Sequence, residues 1–182
     1  MFKLLTFPKN LQGDPAFFIA DGRTHFSAAY RLMNLPALDK NGSPLQKKDN
    51  SFYITPEYLR SALILFQISF ELLLKSLIKV KGRECPRNGW KGHDLAYLWD
   101  IAVKDFQRLS SIQQDDLGVL KEMSSIISIE GKDYSNLMRL KYGECCVWLP
   151  ENSNNLLESF LRIYQLIIQE INSLIGRPCI TE

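Results

Sequence analysis

Three polar residues with the spacing of a helical stripe lie inside the most apolar stretch of the chain: Gln67, Glu71 and Lys75. At about 100° per residue of an α-helix, this polar stripe follows one line of the helix surface. Glu71 precedes Lys75 by four residues, the favourable order for an intrahelical ion pair. Buried charges need a partner, and His93, at the start of the next amphipathic run, is the natural candidate. A solvent edge or a purely structural ion pair also explains the stripe.

A basic loop follows, in which Glu84 is the only acid among five cations and Trp90 is the one aromatic ring. Its cations are Lys79, Lys81, Arg83, Arg87 and Lys91. A cluster of this kind can bind phosphates through its cations and stack a base on its ring. A helix end and loop carrying solvated charges is the alternative interpretation.

Two further sets of residues give only weak indications of a binding site. Cys85, His93, Cys145 and Cys146 lack the paired spacing of a zinc site, and adjacent cysteines seldom both bind one ion, so we expect no metal and no cofactor. Arg139 and Tyr142, after a short helical pattern, could complete a nucleotide or phosphate pocket, although a plain surface position also explains them.

The composition is that of one globular domain: 182 residues, 46% hydrophobic and 23% charged. A net charge of +2 provides no global attraction to nucleic acid, so any basic surface must be local. The opening apolar residues reach Pro8 too soon for a signal sequence, and unpaired cysteines suit a reducing cytoplasm. The apolar run 62–74 is shorter than the ~20 residues of a membrane span. We therefore expect a cytoplasmic protein without a membrane partner.

The elements that must position these residues begin with an N-terminal part, residues 1–54. We interpret residues 1–24 as an extended strap, although their short apolar runs also fit a helical turn. A short helix is predicted over 24–34 with Thr24 as N-cap. A loop rich in proline and glycine follows over 35–51. This part packs on a bundle formed by 55–182, and the whole is a single domain.

The bundle is organised around a long helix from Thr55-Pro56-Glu57, a strong start signal, to the glycine Gly82. Because residues 62–74 are apolar nearly all the way round, this helix is expected in the middle of the bundle. Further helices are predicted over 94–106, 111–127 (from a Ser111/Gln114 capping box) and 152–175, with a short turn over 134–141 and an extended piece over 143–150. The fold class is an all-α antiparallel helical bundle of four main helices plus one or two short ones.

A family resemblance rests on the central helix and the segment after it. Phe70-Glu71-Leu72-Leu73-Leu74-Lys75-Ser76-Leu77-Ile78, then Gly82, a loop, and His93-Asp94-Leu95-Ala96-Tyr97-Leu98 resembles the HEPN domains. In these helical bundles a Glu-x-x-x-Lys helix is followed by a glycine and a His-Asp-Leu helix start. The matched residues cover about 30 positions, and the helix pattern agrees over most of 55–175.

The resemblance implies a homodimer that acts on or with RNA or nucleotides, in toxin–antitoxin, antiphage or RNA-processing systems. Many HEPN members are metal-independent ribonucleases with an Arg-x(4–6)-His motif, and Arg87 to His93 is the one formal match here. A histidine can act as general base or acid on a ribose hydroxyl, and an arginine can stabilise the charge on phosphorus. A purely structural role for His93-Asp94 at a helix start is the competing interpretation.

Three functional hypotheses follow. The first is an endoribonuclease that uses Arg87 and His93 across a dimer interface. The second is a non-catalytic module that binds a protein partner such as an antitoxin nucleotidyltransferase, with a structural polar stripe. The third is an RNA-binding protein that uses the basic loop: Lys79, Lys81, Arg83, Trp90 and Lys91.

Overall fold

The computed structural model describes residues 14–33, 56–86, 89–127 and 153–175. Over these ranges the chain forms five α-helices and no strand: α1 (Pro15–Met33), α2 (Pro56–Val80), α3 (Leu95–Ala102), α4 (Gln114–Ile127) and α5 (Ser153–Ile175). Two 3-10 turns, Gly89–Gly92 and Gln107–Ser111, flank α3. The predicted all-α class is thus confirmed for the described residues. The predicted turn over 134–141, the extended piece over 143–150 and the 54/55 boundary lie outside them.

The first helix is longer than predicted, because α1 begins at Pro15 and not at Thr24. The Asp14 carboxylate accepts a hydrogen bond of 2.8 Å from the Ala16 backbone N–H, and proline suits the first helical position. The expectation of an extended strap was therefore wrong for residues 15–24. We did not recognise Asp14-Pro15 as a helix start signal.

The central helix α2 has the predicted bounds and the predicted position. It begins at Pro56, and it ends where Gly82 adopts a φ of 70°, which favours glycine. The Gly82 N–H donates to the Lys79 carbonyl and the Arg83 N–H to the Ile78 carbonyl, the hydrogen-bond pattern of a Schellman cap. Phe66, Phe70 and neighbouring residues of α2 are fully buried.

One segment of α2, Ser61–Val80, is long and apolar enough by length and composition to cross a membrane, with a mean hydropathy of 1.7. Of this segment, 67% is buried within the protein. The core helix of a helical bundle meets the same criterion, because its neighbours cover it on several sides.

Helices α1 and α2 form an antiparallel pair held by a close approach at Gly22. The Ser69 hydroxyl donates to the Gly22 carbonyl over 2.7 Å, and a Cβ on Gly22 would lie 2.8 Å from Leu73 Cγ. Helix α5 closes the core, since Phe160 lies 4.5 Å from Phe66 between ring centroids. The described helices thus share one hydrophobic core.

Helix α3 departs from the antiparallel arrangement. The chain leaves α2 at Gly82 and returns along it, so that His93 lies beside Glu71. Helix α3 then runs in the same direction as α2, which brings Asp105 back to Arg83 at the end of α2. This return loop places His93 against the middle of the central helix.

The bounds of α3 and α4 also differ from the predictions. Helix α3 ends at Ala102 rather than at Phe106, although Phe106 and Leu109 still pack into the core beyond it. Ser111 does not cap α4, because its hydroxyl donates to the Arg108 carbonyl over 2.8 Å within a 3-10 turn. Helix α4 begins at Gln114, so the capping-box prediction was wrong.

Candidate functional site

The polar stripe of α2 converges on His93. His93 Nδ1 lies 2.9 Å from Glu71 Oε2, and Lys75 Nζ donates to Glu71 Oε1 over 2.6 Å. Gln67 Nε2 donates to the backbone carbonyl of His93 over 3.0 Å. All three stripe residues therefore contribute, directly or through Glu71, to the position of one histidine.

The contact with Glu71 indicates which ring nitrogen of His93 carries a proton. A carboxylate only accepts hydrogen bonds, so Nδ1 must carry a proton in this contact. Proton transfer to or from a ligand therefore falls to Nε2. The side chain of Glu71 is 12% exposed and that of His93 is 27% exposed. A mostly buried carboxylate thus orients an imidazole that reaches the surface.

On either side of positions 87–88, the described residues of the return loop that carries His93 lie close together and close to α2. A Cβ on Gly92 would lie only 2.7 Å from the carbonyl oxygen of Pro86, so only glycine permits this approach of the two backbones. The Cys85 thiol lies 3.5 Å from the Lys75 carbonyl, which brings the loop against α2. We did not single out Gly92 in the sequence, although it directly precedes His93.

Asp94 ends the loop and starts α3. Its carboxylate accepts a hydrogen bond of 3.1 Å from the Tyr97 N–H, which makes Asp94 the N-cap of the helix. The His-Asp pair therefore divides two tasks, since His93 contacts α2 and Asp94 begins α3.

The cations of the basic loop have different neighbours. Arg83 donates to Asp105 over 2.6 Å, and Lys81 lies 5.0 Å from the centre of the Phe106 ring. Lys79 lies over the Phe18 ring of α1, whereas Lys91 lies 5.6 Å from the Tyr97 ring, next to His93 in the chain. Of these four, Lys91 is the nearest to His93 in sequence, and Lys79, Lys81 and Arg83 contact residues outside the stripe.

Several predicted site residues are not among those that the structure describes. Arg87 is not among the described residues, and neither are Arg139 and Tyr142; for Trp90 only the backbone is described. The pairing of Arg87 with His93 and the second phosphate pocket therefore remain predictions.

A second polar cluster, which we did not predict, joins α4 to α5. Arg162 donates to both oxygens of Asp116, over 3.0 and 2.7 Å, and also to the Ser159 hydroxyl over 3.0 Å. Asp116 is only 2% exposed. In the sequence it resembles an ordinary acid in the first turn of a helix, which conceals its tertiary partner.

The electrostatics of this cluster favour the charged pair. Burial raises the pKa of Asp116, but hydrogen bonds from Arg162 and Ser159 and the guanidinium charge outweigh burial, so the pKa lies below its ordinary 3.8. The hydrogen bond to Asp116 raises the pKa of Arg162. Both groups are ionised at neutral pH, and the pair holds two helices together.

An open groove of about 590 Å³ follows α1, between Arg23 and Arg31. None of its described lining residues belongs to the polar stripe or to the return loop. Over the ranges given above, no three His, Cys, Asp or Glu side chains come together as a metal site requires.

Comparisons of this chain with protein-family models, with curated proteins and with solved structures found no match.

Proposed function

We propose that this protein is a HEPN-like helical bundle that cleaves RNA without a metal, with His93 as the proton-transfer residue. The contact between the Glu71 carboxylate and His93 Nδ1 carries the proposal. A carboxylate that fixes the tautomer and orientation of a partly exposed imidazole prepares the other ring nitrogen for acid–base chemistry. Glu71 is then a positioning residue, and Lys75 and Gln67 support it.

The reaction that suits this arrangement is an internal transesterification of the ribose phosphate. Nε2 of His93 takes the proton from a ribose 2′-hydroxyl, and the 2′ oxygen forms a bond to the adjacent phosphorus. The bond from phosphorus to the 5′ oxygen breaks, and that oxygen takes up a proton from water. A cation stabilises the charge on the phosphoryl oxygens, and we assign this role to Arg87.

The biological setting follows from the resemblance. We propose a cytoplasmic homodimer in a toxin–antitoxin or antiphage system, in which the basic loop binds the RNA backbone. With a net charge of only +2, RNA affinity must come from this local surface, so it should fall as salt rises.

The test is RNA cleavage by the purified chain in EDTA. We expect His93→Asn to abolish cleavage, since asparagine keeps an N–H donor for Glu71 but transfers no proton. The same variant should melt close to the wild-type temperature. Glu71→Gln should slow cleavage by up to about 10⁴-fold, the loss seen when the carboxylate that orients a general-base histidine becomes an amide and the other tautomer is favoured.

The matched control is the other histidine of the chain, His25. His25 lies on α1, where its Nδ1 is 2.8 Å from the Asp21 carbonyl, and His25→Asn should cleave RNA at the wild-type rate. Cleavage that persists in His93→Asn would refute the catalytic proposal, as would cleavage that EDTA abolishes.

A second candidate is a non-catalytic module for a protein partner such as a nucleotidyltransferase. One observation favours it: the stripe residues bond to one another and to the His93 segment, as a structural network would. This candidate predicts no RNA turnover, and a clear loss of thermal stability in Glu71→Ala. Wild-type melting in Glu71→Ala together with RNA turnover would exclude it.

A further inference from the structure

Tyr97 presents an aromatic ring on the outer side of α3, four residues after His93. The inner side of this helix is buried in the core through Leu95, Leu98 and Trp99. Tyr97 is 36% exposed and belongs to the few large apolar side chains at the described surface. Its ring is therefore available to a ligand without unpacking the bundle.

Lys91, which precedes His93 in the chain as Tyr97 follows it, also contacts this ring. Its ammonium lies 5.6 Å from the centre of the Tyr97 ring, although Lys91 belongs to the 3-10 turn Gly89–Gly92. The turn is fixed by the close approach of Gly92 to Pro86, and His93 is fixed through Gln67 and Glu71. A cation and an aromatic face are thus placed together on the segment that carries His93.

We propose that Tyr97 and Lys91, which flank His93 in the chain, form a binding subsite for one unstacked nucleobase and its phosphate. The base stacks on the Tyr97 ring, and the Lys91 ammonium moves from the ring to the phosphate. An exposed contact between a cation and an aromatic ring is weak, whereas stacking and phosphate pairing both strengthen when a nucleic acid binds. This inference rests on the proposed function and names residues that hold the substrate for it.

The proposed subsite should prefer single-stranded RNA to an RNA duplex. A base on Tyr97 has to leave the stack of a duplex, so the subsite favours unpaired nucleotides.

The experiment measures the dissociation constant for a short labelled single-stranded RNA by fluorescence anisotropy, with the full chain in the His93→Asn background to prevent cleavage. We expect Tyr97→Ala to raise the constant about tenfold, the effect of losing one stacked base. Tyr97→Phe should bind as tightly as the parent, because it keeps the ring. Lys91→Ala should weaken binding and flatten its salt dependence.

Tyr30→Ala is the matched control, because Tyr30 on α1 is exposed to a similar extent, 38%, and should bind as the parent does. Tyr97→Leu repeats the test with a residue of larger volume than alanine, and circular dichroism verifies that each variant is folded. The subsite is refuted if Tyr97→Ala and Tyr97→Leu bind like the parent. It is also refuted if Tyr97→Phe loses as much affinity as Tyr97→Ala, or if the RNA duplex binds as tightly as the single strand.

Failure of the subsite is separable from failure of the proposed function. If the wild type cleaves RNA, His93→Asn does not, and Tyr97→Ala leaves affinity unchanged, the ribonuclease proposal stands and the subsite falls. If the wild type neither cleaves nor binds RNA, the proposed function fails, and the subsite fails with it.

Discussion

Two mostly buried carboxylates of this protein have different partners. Both oxygens of Asp116 on α4 are bonded to the single guanidinium of Arg162 on α5. The oxygens of Glu71 on α2 are divided, one to Lys75 on the same helix and one to His93 at the end of the return loop. Both oxygens of Asp116 are thus held by one cation, whereas Glu71 connects the central helix to the imidazole of the return loop.

The difference separates a structural contact from a candidate functional one. A bidentate pair between two helices fixes their relative position, and its guanidinium cannot lose its charge. The other cluster contains an imidazole, the side chain most often used for proton transfer in catalysis, and it is 27% exposed. Burial and pairing of an acid therefore do not indicate function by themselves; the chemistry and exposure of its partner do.

The largest expected effect is on stability, from removing the cation in each cluster. Arg162→Met leaves Asp116 buried without its charged partner, and we expect the free energy of unfolding to fall by about 2 kcal/mol. This is below the roughly 3–5 kcal/mol of fully buried pairs, because the Arg162 side chain is 41% exposed. Lys75→Met should lower the free energy of unfolding by about 1 kcal/mol, since Glu71 keeps its contact with His93. Urea denaturation measures both, and an equal or larger loss in Lys75→Met would contradict the comparison.

A smaller effect on stability is expected from replacing one glycine in each region by alanine: Gly92 in the return loop and Gly118 on α4. Gly92→Ala places a Cβ 2.7 Å from the Pro86 carbonyl oxygen, so the return loop must shift, at a cost of about 1–2 kcal/mol. Gly118 of α4 has open space around it, so Gly118→Ala should stabilise the helix by about 0.5–1 kcal/mol. Thermal unfolding compares the two variants. A Gly92→Ala variant that is more stable than the wild type would contradict the close approach of Gly92 to Pro86.

The smallest expected effect is the acid dependence of the α4–α5 pair. Because the pKa of Asp116 in the folded state lies below 3.8, its contribution to stability is present above that pH. The contribution is lost as pH falls through the lowered pKa. The stability difference between wild type and Asp116→Asn should therefore be constant from neutral pH to about 4 and shrink at lower pH. A difference that instead grows towards acid would contradict the assignment.

The apolar pattern was sufficient to predict the central helix. Pro56 and Gly82 set the bounds of α2, and its nearly continuous apolar surface placed it in the core, because local sequence contains cap signals and hydrophobic periodicity. The same local reasoning failed at Asp14-Pro15, where a helix start signal was not recognised. It failed again at Ser111, whose hydroxyl bonds to a 3-10 turn instead of capping a helix.

The candidate site shows the same division. The spacing of Gln67, Glu71 and Lys75 and the position of His93 as their partner were readable from the sequence, because helical periodicity places the stripe and buried charge demands a counterpart. The parallel course of α3, the approach of Gly92 to Pro86 and the pairing of Asp116 with Arg162 were not. Each joins residues whose contact depends on how loops return, and such contacts leave no periodic signal. The sequence by itself therefore determined the helices, the polar stripe and the imidazole that Glu71 contacts, and the tertiary structure decided the course of the return loop and which guanidinium Asp116 meets.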